Sequence, residues 1–403
     1  MTSPSIIANQ QQTFWRLWRG VLPHVRTDRD LHTRLQALLR RREFGSRDRR
    51  LYRELLYTAV RHLPWMEELA ARPQPEVIGA LAWLAADTPA THEFRSALAG
   101  DRPECPSSVS GRARVLGVGR DLMPGWFREH CAEAFVPPDL DVLNSRPPLW
   151  IRLQTAGTGA IHMEFARRGW AVRPSATLAT TLEVLADADL TSSKSYEEGL
   201  FEIQDLGSQL ILASAAVAPG SSWFDACAGA GGKTLQLATL VGPEGRVDAY
   251  DVRPEALAEL RTRARRGGFT NIRVLEGIPD QEGYDGVLVD APCSGSGTWR
   301  RAPHLKWCTS PADIETHAVR QRQLLAQSCR HVRPGGILVY ATCSLSRVEN
   351  HDVVNTFLAG HTEFAAVPQA RTFGCPLNDA GLTILPAIHN TDGYFVSTLA
   401  RCR

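Results

Sequence analysis

The sequence predicts an α/β protein, with a doubly wound sheet in its C-terminal half preceded by an all-helical domain and a small α+β module. Three observations carry this expectation. Apolar residues in the first third recur at helical spacing. From Ser221 onward, short apolar runs alternate with helical patterns. Two of those runs, Gly286-Val-Leu-Val-Asp290 and Ile337-Leu-Val-Tyr-Ala341, lead directly into turns that carry a cysteine, Cys293 and Cys343.

The 403 residues allow two or three domains at about 150 residues each. Leu31, Leu35, Leu38 and Leu39, then Leu51, Leu55, Leu56 and Val60, then Val77, Leu81 and Leu84 mark apolar helix faces. Breaks fall at Pro23, Gly45-Ser46, Pro64, Pro73-Gln-Pro75 and Gly100. A helical bundle over residues 1–136 is expected, with a linker through Val136-Pro-Pro-Asp139 and Arg146-Pro-Pro-Leu149. Leu149–Leu153 reads as a strand and Ala160–Arg168 as a helix. Val172, Leu182–Leu185 and Leu200–Ile203 supply further short strands, giving an α+β module over 145–200. In the last region, 201–403, a helix is expected at Ser208–Ala216. Strands are expected at Ser222–Asp225, Arg246–Asp251, Ile272–Leu275, Gly286–Asp290 and Gly336–Tyr340. Helices are expected at Lys233–Thr239, Pro254–Arg265 and Asp313–Val332.

Bulk properties exclude several classes. No run of 18 apolar residues occurs, so no membrane span is expected. MTSPSIIANQQQ lacks the basic and apolar regions of a secretion signal. Nine scattered cysteines without a C-x-x-C pair argue against a disulfide framework and a zinc site, and for a reducing cytoplasm; no metal is expected. The net charge is +2, yet the first 50 residues hold eleven Arg against four Asp or Glu. A basic end on a near-neutral chain suits a nucleic-acid-facing arm and equally a solvated helix face. Only Lys194, Lys233 and Lys306 are lysines among 45 basic residues, and two of these lie inside the motifs below.

The first strand of the last region runs into Phe224-Asp-Ala-Cys-Ala-Gly-Ala-Gly-Gly-Lys-Thr234, a glycine-rich turn that brings backbone close to a ligand. A P-loop fails because Cys227 stands at its first glycine. A dinucleotide loop starts at Gly229-Ala-Gly231 but meets Thr234 at its third glycine. An S-adenosylmethionine loop, an acidic strand end followed by x-G-x-G, is matched by Asp225 and Gly229-x-Gly231. Asp251, 22 residues after Gly229, suits the ribose hydroxyls of either adenosine cofactor, and also suits a helix cap before Pro254.

In an open α/β sheet, ligands sit beyond the carboxyl ends of the strands, so Cys293 and Cys343 are placed to meet in one cleft. Small buried thiols are the commoner fate of a free cysteine. A thiolate that adds to carbon 6 of a cytosine makes carbon 5 nucleophilic toward a sulfonium methyl, and a second residue that assists release explains a second cysteine. Asp290 is placed to hold a cytosine edge. Arg300, Arg301 and Lys306 are candidates for phosphate contacts, with Trp299 or Trp307 stacking on bases.

CAGAGGK (Cys227–Lys233), DAPCSGSGTWRRAPHLKW (Asp290–Trp307) and ATCSLSRVEN (Ala341–Asn350) resemble the RsmB/Sun/NOP family of RNA cytosine-5 methyltransferases. Gln204-Asp-Leu-Gly-Ser-Gln209 and Thr391-Asp-Gly-Tyr-Phe-Val396 resemble it too, so the likeness covers about residues 147–403. Asp48-Arg-Arg-Leu-Tyr-Arg-Glu-Leu-Leu-Tyr57 is similar to the NusB-like RNA-binding domain of the family's bacterial RsmB branch. The resemblance implies a Rossmann-like sheet, S-adenosylmethionine as cofactor, and RNA, 16S rRNA in particular, as substrate. It implies that Cys343 is the nucleophile and that Cys293 assists release. It places Cys227, Ala228, Gly229, Ala230, Gly231, Gly232, Lys233, Asp251 and Asp290 at the cofactor, with Lys233 and Asp290 also bordering the target base. Three positions depart from the family pattern. Gly229-Ala230 replaces Ala-Pro in the loop. Gly277-Ile278 stands where Gly-Asp is usual, with Asp280 the substitute in view. Arg152-Leu-Gln154 with Gly157 stands for R-V-N…K. Different readings are an RNA methyltransferase acting on tRNA or another RNA, a catalytically inactive RNA-binding assembly protein, and an NAD-dependent oxidoreductase.

Overall fold

The computed structural model describes residues 3–40, 43–280 and 283–402, which divide into two compact units. One comprises Met1–Arg146 and Trp299–Ser310; the other comprises Pro147–Thr298 and Pro311–Arg403.

The first unit is helical. Its longer helices are Pro4–Val21, Leu31–Leu39, Ser46–Arg61, Gln74–Leu84 and Val109–Leu116. The periodic leucines form its core: Leu31, Leu55, Leu56 and Leu81 are fully buried, with Phe14, Leu63 and Trp65. Each such side chain contributes roughly 1.5–3 kcal/mol by leaving water. Pro4, Pro64 and Pro75 stand in first turns, where a missing N–H leaves no bond unmade. The expected boundary at 136 moves. Asp139–Leu143 is a helix, Leu143 and Asn144 are buried, and the unit runs on to Arg146.

A larger correction concerns Trp299–Ser310, which lies within the helical unit. Its helix Pro303–Cys308 seats Trp307, whose indole N–H donates to Val60 O at 2.8 Å. Trp299 is buried with its ring 4.8 Å from Phe127. Arg300 and Lys306 are 1% and 2% exposed. Arg300 donates to Ser145 Oγ and Arg146 O, and Lys306 donates to Asn144 Oδ1 and Arg61 O. Phosphate contacts by Arg300 and Lys306, and base stacking by Trp299, are therefore corrected: these side chains are spent on internal packing. Burial, and then the charges of Arg61 and Arg112, push the Lys306 ammonium well below its ordinary range. Arg301 keeps partial exposure.

The second unit contains two sheets. The small one has strands β1 (Leu149–Leu153), β2 (Val172–Pro174), β3 (Thr181–Val184) and β4 (Phe201–Ile203), all antiparallel, in the order β2-β3-β1-β4. The helix Gly159–Arg167 and the strands fall where the apolar pattern places them. The large sheet has a parallel half made of β5 (Ser222–Asp225), β6 (Arg246–Ala249), β7 (Ile272–Val274), β8 (Tyr284–Asp290) and β9 (Val332–Thr342). Their order, β9-β8-β5-β6-β7, reverses direction at β5, as a doubly wound sheet does. Val287, Leu288 and Val289 are inaccessible to solvent on both faces, which is why β8 reads as an unbroken apolar run.

Four further strands complete the sheet: β10 (Phe364–Val367), β11 (Leu377–Asn378), β12 (Gly381–Ile384) and β13 (Tyr394–Arg401). Strand β13 lies antiparallel to β9, with Phe395 opposite Thr342. It begins inside the Thr391–Val396 motif and carries that motif to the strand that ends at Thr342, just before Cys343. There, backbones approach closely. Gly393 N donates to Gly297 O at 2.8 Å, and Gly297 N donates to Cys343 O at 3.0 Å. A Cβ on Gly297 would stand 2.0 Å from Gly393 O.

Gly297→Ala is therefore expected to destabilise the sheet unit by about 1–3 kcal/mol, as overpacking against backbone does. Gly159→Ala, whose Cβ meets nothing within 4 Å, should be neutral or slightly stabilising. Denaturant midpoints of the two variants check this; equal midpoints would contradict the close approach.

Candidate active site

The carboxyl ends of β5, β6, β8 and β9 open onto one cavity of about 640 Å³. Its lining includes Cys227–Ala230, Gly232, Lys233, Asp251, Asp290, Cys293 and Cys343, so the predicted cofactor and thiol residues lie together. Gly231 is not at the surface of the cavity but behind the turn. Its φ of +91° is one that L side chains rarely adopt, and a Cβ there would strike Leu260 Cδ1 at 2.2 Å. It ends the turn and starts the helix Gly232–Val241, whose first residues, Gly232 and Lys233, line the cavity.

Asp225 stands behind the same turn. It is 1% exposed, accepts from Thr234 Oγ1 at 2.7 Å and Cys227 N at 3.3 Å, and so braces the loop from inside. Burial above all pushes its carboxyl up to about 7. Asp251 accepts from Gly229 N at 2.9 Å, which ties the end of β6 to the glycine loop. Its other partner is Arg253, at 2.9 Å and mostly exposed. Burial acts to raise the Asp251 carboxyl, but the pairing with Arg253 and the bonds from the Arg253 and Gly229 N–H groups together outweigh it and hold the carboxyl below its ordinary value. The helix Pro254–Arg266 is capped at Arg253, not at Asp251.

The donor set suits an adenosine cofactor bearing an amino-acid arm. A Cβ at Gly232 would project into space with nothing within 4 Å, so the loop leaves room for a ligand at the helix start. Asp251 faces that room from the end of β6, with Val252 and Ile278 as exposed apolar walls. Ile278 thus occupies the expected Gly-Asp position, and Asp280, the substitute in view, is not among the lining residues.

Beyond the ends of β8 and β9 the two thiols meet in the cavity. Cys293 Sγ and Cys343 Sγ are 3.3 Å apart. Cys293 is pushed well above the ordinary thiol range, first by its hydrogen bond with Cys343, then by burial and by the nearby charge of Glu349. Lys233 Nζ donates to Asp290 Oδ2 at 2.8 Å, in an ion pair whose side chains are 10% and 30% exposed. Burial would lower the Lys233 ammonium, but Asp290 outweighs it and the net shift is upward. The site therefore holds a fixed cation beside a carboxylate and two thiols. Tyr394, from β13, places its ring 5.8 Å from Lys233 Nζ.

Sequence reasoning missed several lining residues. Ser208 and Tyr394 reach the cavity from the two motifs that had no assigned role. Asp205 and Thr391 join these motifs: Gly207 N donates both to Asp205 Oδ1 at 2.9 Å and to Thr391 Oγ1 at 2.6 Å. Arg320, Leu324 and Gln327 come from the helix Pro311–Ser328. Arg152, in the departing segment of the small module, is 3% exposed and donates to Gln204 Oε1 at 2.7 Å. Among the described residues, no group of three or more His, Cys, Asp or Glu is arranged to hold a metal, and no helix is long and apolar enough to cross a membrane.

Residues 213–400 match the family model described as 16S rRNA methyltransferase RsmB/F. The chain is 30% identical over 305 residues to the ribosomal RNA small subunit methyltransferase B of Vibrio cholerae, spanning 73% of this chain and 68% of that relative. It is 35% identical over 225 residues to a Synechocystis protein named "Probable ribosomal RNA small subunit methyltransferase B", spanning 53% of this chain and only 50% of that relative. The solved structure of the protein PH0851 shares the fold at a TM-score of 0.72 and 22% identity, covering 94% of this chain and 96% of that one. With the glycine loop, Asp251 and the paired thiols in one cavity, these likenesses establish that the chain belongs to the RsmB/Sun family of S-adenosylmethionine-dependent ribosomal RNA methyltransferases.

Proposed function

We propose that this chain methylates carbon 5 of a cytosine in 16S ribosomal RNA through a covalent bond between Cys343 and carbon 6 of the base. The observation that supports this most directly is the 3.3 Å approach of Cys293 and Cys343 inside the cavity that the glycine loop lines. S-adenosylmethionine, when bound, supplies an electrophilic methyl group. Cys227–Ala230, Gly232, Lys233 and Asp251 would hold it, and Asp290 would border both it and the target base.

The residues of the chain divide the remaining work. Cys343, as thiolate, adds to carbon 6 and turns the ring into an enamine, which makes carbon 5 the nucleophile. Asp290 holds the edge of the cytosine, and Lys233 fixes the Asp290 carboxylate by its 2.8 Å ion pair. The Cys293 thiol, held protonated by its neighbours, serves the release step: it gives its proton to the departing Cys343 sulfur as the bond to carbon 6 breaks, its thiolate takes the carbon 5 proton, and the electron pair left at carbon 5 restores the double bond to carbon 6. An NAD-dependent hydride transfer shares the use of Asp251 but has no use for two touching thiols. RNA affinity is assigned to the helical unit, whose exposed Arg19, Arg40 and Arg50 supply positive charge.

Cys343→Ala should abolish methyl transfer, measured as label incorporated into 16S rRNA; ordinary turnover would sink the mechanism. Cys293→Ala should instead accumulate a protein–RNA adduct that survives denaturing gels, because addition proceeds and release fails. Free protein alone on those gels, with Cys343 still essential, would give Cys293 another role. Replacing Arg19, Arg40 and Arg50 by Ser should lower the slope of log affinity against log salt by about 0.7–0.9 for each phosphate that is no longer neutralised. An unchanged slope would remove these residues from the interface.

A further inference from the structure

Glu349 has no solvent exposure, yet it carries a carboxylate, which accepts hydrogen bonds and donates none. It lies on the turn Arg347–Glu349, shortly after Cys343. Its oxygens accept four bonds from neutral donors. Ser294 Oγ and Ser344 Oγ reach Oε2 at 2.5 and 2.6 Å. Ser294 N and Gln321 Nε2 reach Oε1 at 2.8 and 3.1 Å. Gln321 also donates to Pro292 O at 2.9 Å. The residues on both sides of Cys293 and the residue after Cys343 therefore end on one Glu349–Gln321 pair. A buried carboxylate is tolerated only when its acceptor sites are filled, and here the two cysteine loops and Gln321 fill them.

A second layer supports the same joint. Ser296 Oγ lies 2.9 Å from Ser344 Oγ and accepts from Leu345 N at 2.9 Å. Tyr340 donates its hydroxyl to Glu349 O at 2.5 Å, fixing the turn to the end of β9. None of these groups lines the cavity. Glu349 therefore acts through the loops and not on a ligand.

We propose that Glu349 is a positioning residue: its carboxylate clasps Ser294 and Ser344 and so sets the separation of the Cys293 and Cys343 thiols. Its catalytic meaning rests on the covalent mechanism proposed above, but the clasp is testable without it. The negative charge it brings near Cys293 works in the same direction, favouring the thiol that release needs.

The test uses the full chain without RNA or cofactor and the thiol oxidant diamide. Two thiols lose two electrons and two protons to form one S–S bond, and the N=N bond of diamide is reduced to a hydrazine. Peptide mapping of the Cys293–Cys343 disulfide gives the rate. Glu349→Ala should slow this bond by roughly tenfold or more, because an ångström of misplacement is costly at such a distance. Glu349→Gln should retain most of the rate, since its amide oxygen accepts as before and the serine hydroxyls turn to accept from its NH2. Ser344→Ala, a smaller change, should slow the bond by an intermediate amount and serves if Glu349→Ala fails to fold. In methyl transfer, Glu349→Ala should lower kcat with KM for RNA little changed. Wild-type disulfide rates in folded Glu349→Ala or Ser344→Ala would overturn the proposal, as would equal losses in Glu349→Gln and Glu349→Ala. Slowed disulfide formation together with full activity of Cys343→Ala would leave the clasp standing and refute the covalent mechanism instead.

Discussion

Asp290 lies opposite Ala341 in the parallel pairing of β8 with β9, and the two reactive turns are measured from that pair. Cys293 follows three residues after Asp290, and Cys343 two residues after Ala341. A strand rises about 3.3 Å per residue, so a slip of one residue would displace a thiol by as much as the whole Cys293–Cys343 separation. It would also move Val287 and Val289 out of the core they share with Phe224 and Leu338, and Leu288 out of the core it shares with Leu237 and Val339. The hydrophobic core that fixes the register thereby fixes the chemistry.

Register alone brings the loops near each other; polar bonds complete the alignment. Gly297 carries the Cys293 turn against Gly393 and Cys343 O, and Glu349 ties the serines that follow both cysteines. On the cofactor side the same logic recurs with different groups. Asp225 braces the glycine turn from behind, while Asp251 reaches across from β6 to Gly229 N. Lys233 joins the halves, since it leaves the glycine loop and ends on Asp290. The cavity is thus built from strand ends, each pinned to its neighbour by at least one hydrogen bond to a loop backbone or carboxylate.

Much of this is legible in the chain. Strands buried on both faces appear as apolar runs, so β5 and β8 are recognisable, and the motifs beyond them locate Cys227–Ala230, Gly232, Lys233, Asp251, Asp290, Cys293 and Cys343 in one cavity. The antiparallel edge escapes recognition: β10, β11 and β12 span only two to four residues, too few for an alternation to show. Arg300 and Lys306 are misplaced by sequence reasoning for a different reason. Charge near a reactive motif suggests phosphates, but nothing local records that Trp299–Ser310 is packed into the helical unit. Glu349 is passed over because a carboxylate in Ser-Arg-Val-Glu-Asn reads as surface. The available signal is the serine that follows each cysteine, Ser294 and Ser344, two matching donors at equivalent places in the two motifs.

The central claim is that Cys343, held beside Cys293, forms the bond to the base. An RNA fragment of the substrate carrying 5-fluorocytidine at the target site tests it in the unmodified protein, because fluorine at carbon 5 cannot leave as a proton does. Digestion and mass spectrometry of the trapped complex then locate the linkage. A single linkage is expected on the peptide containing Cys343, formed only when S-adenosylmethionine is present to complete the transfer. A linkage on Cys293, or no linkage in a protein that still methylates the ordinary RNA, would contradict it.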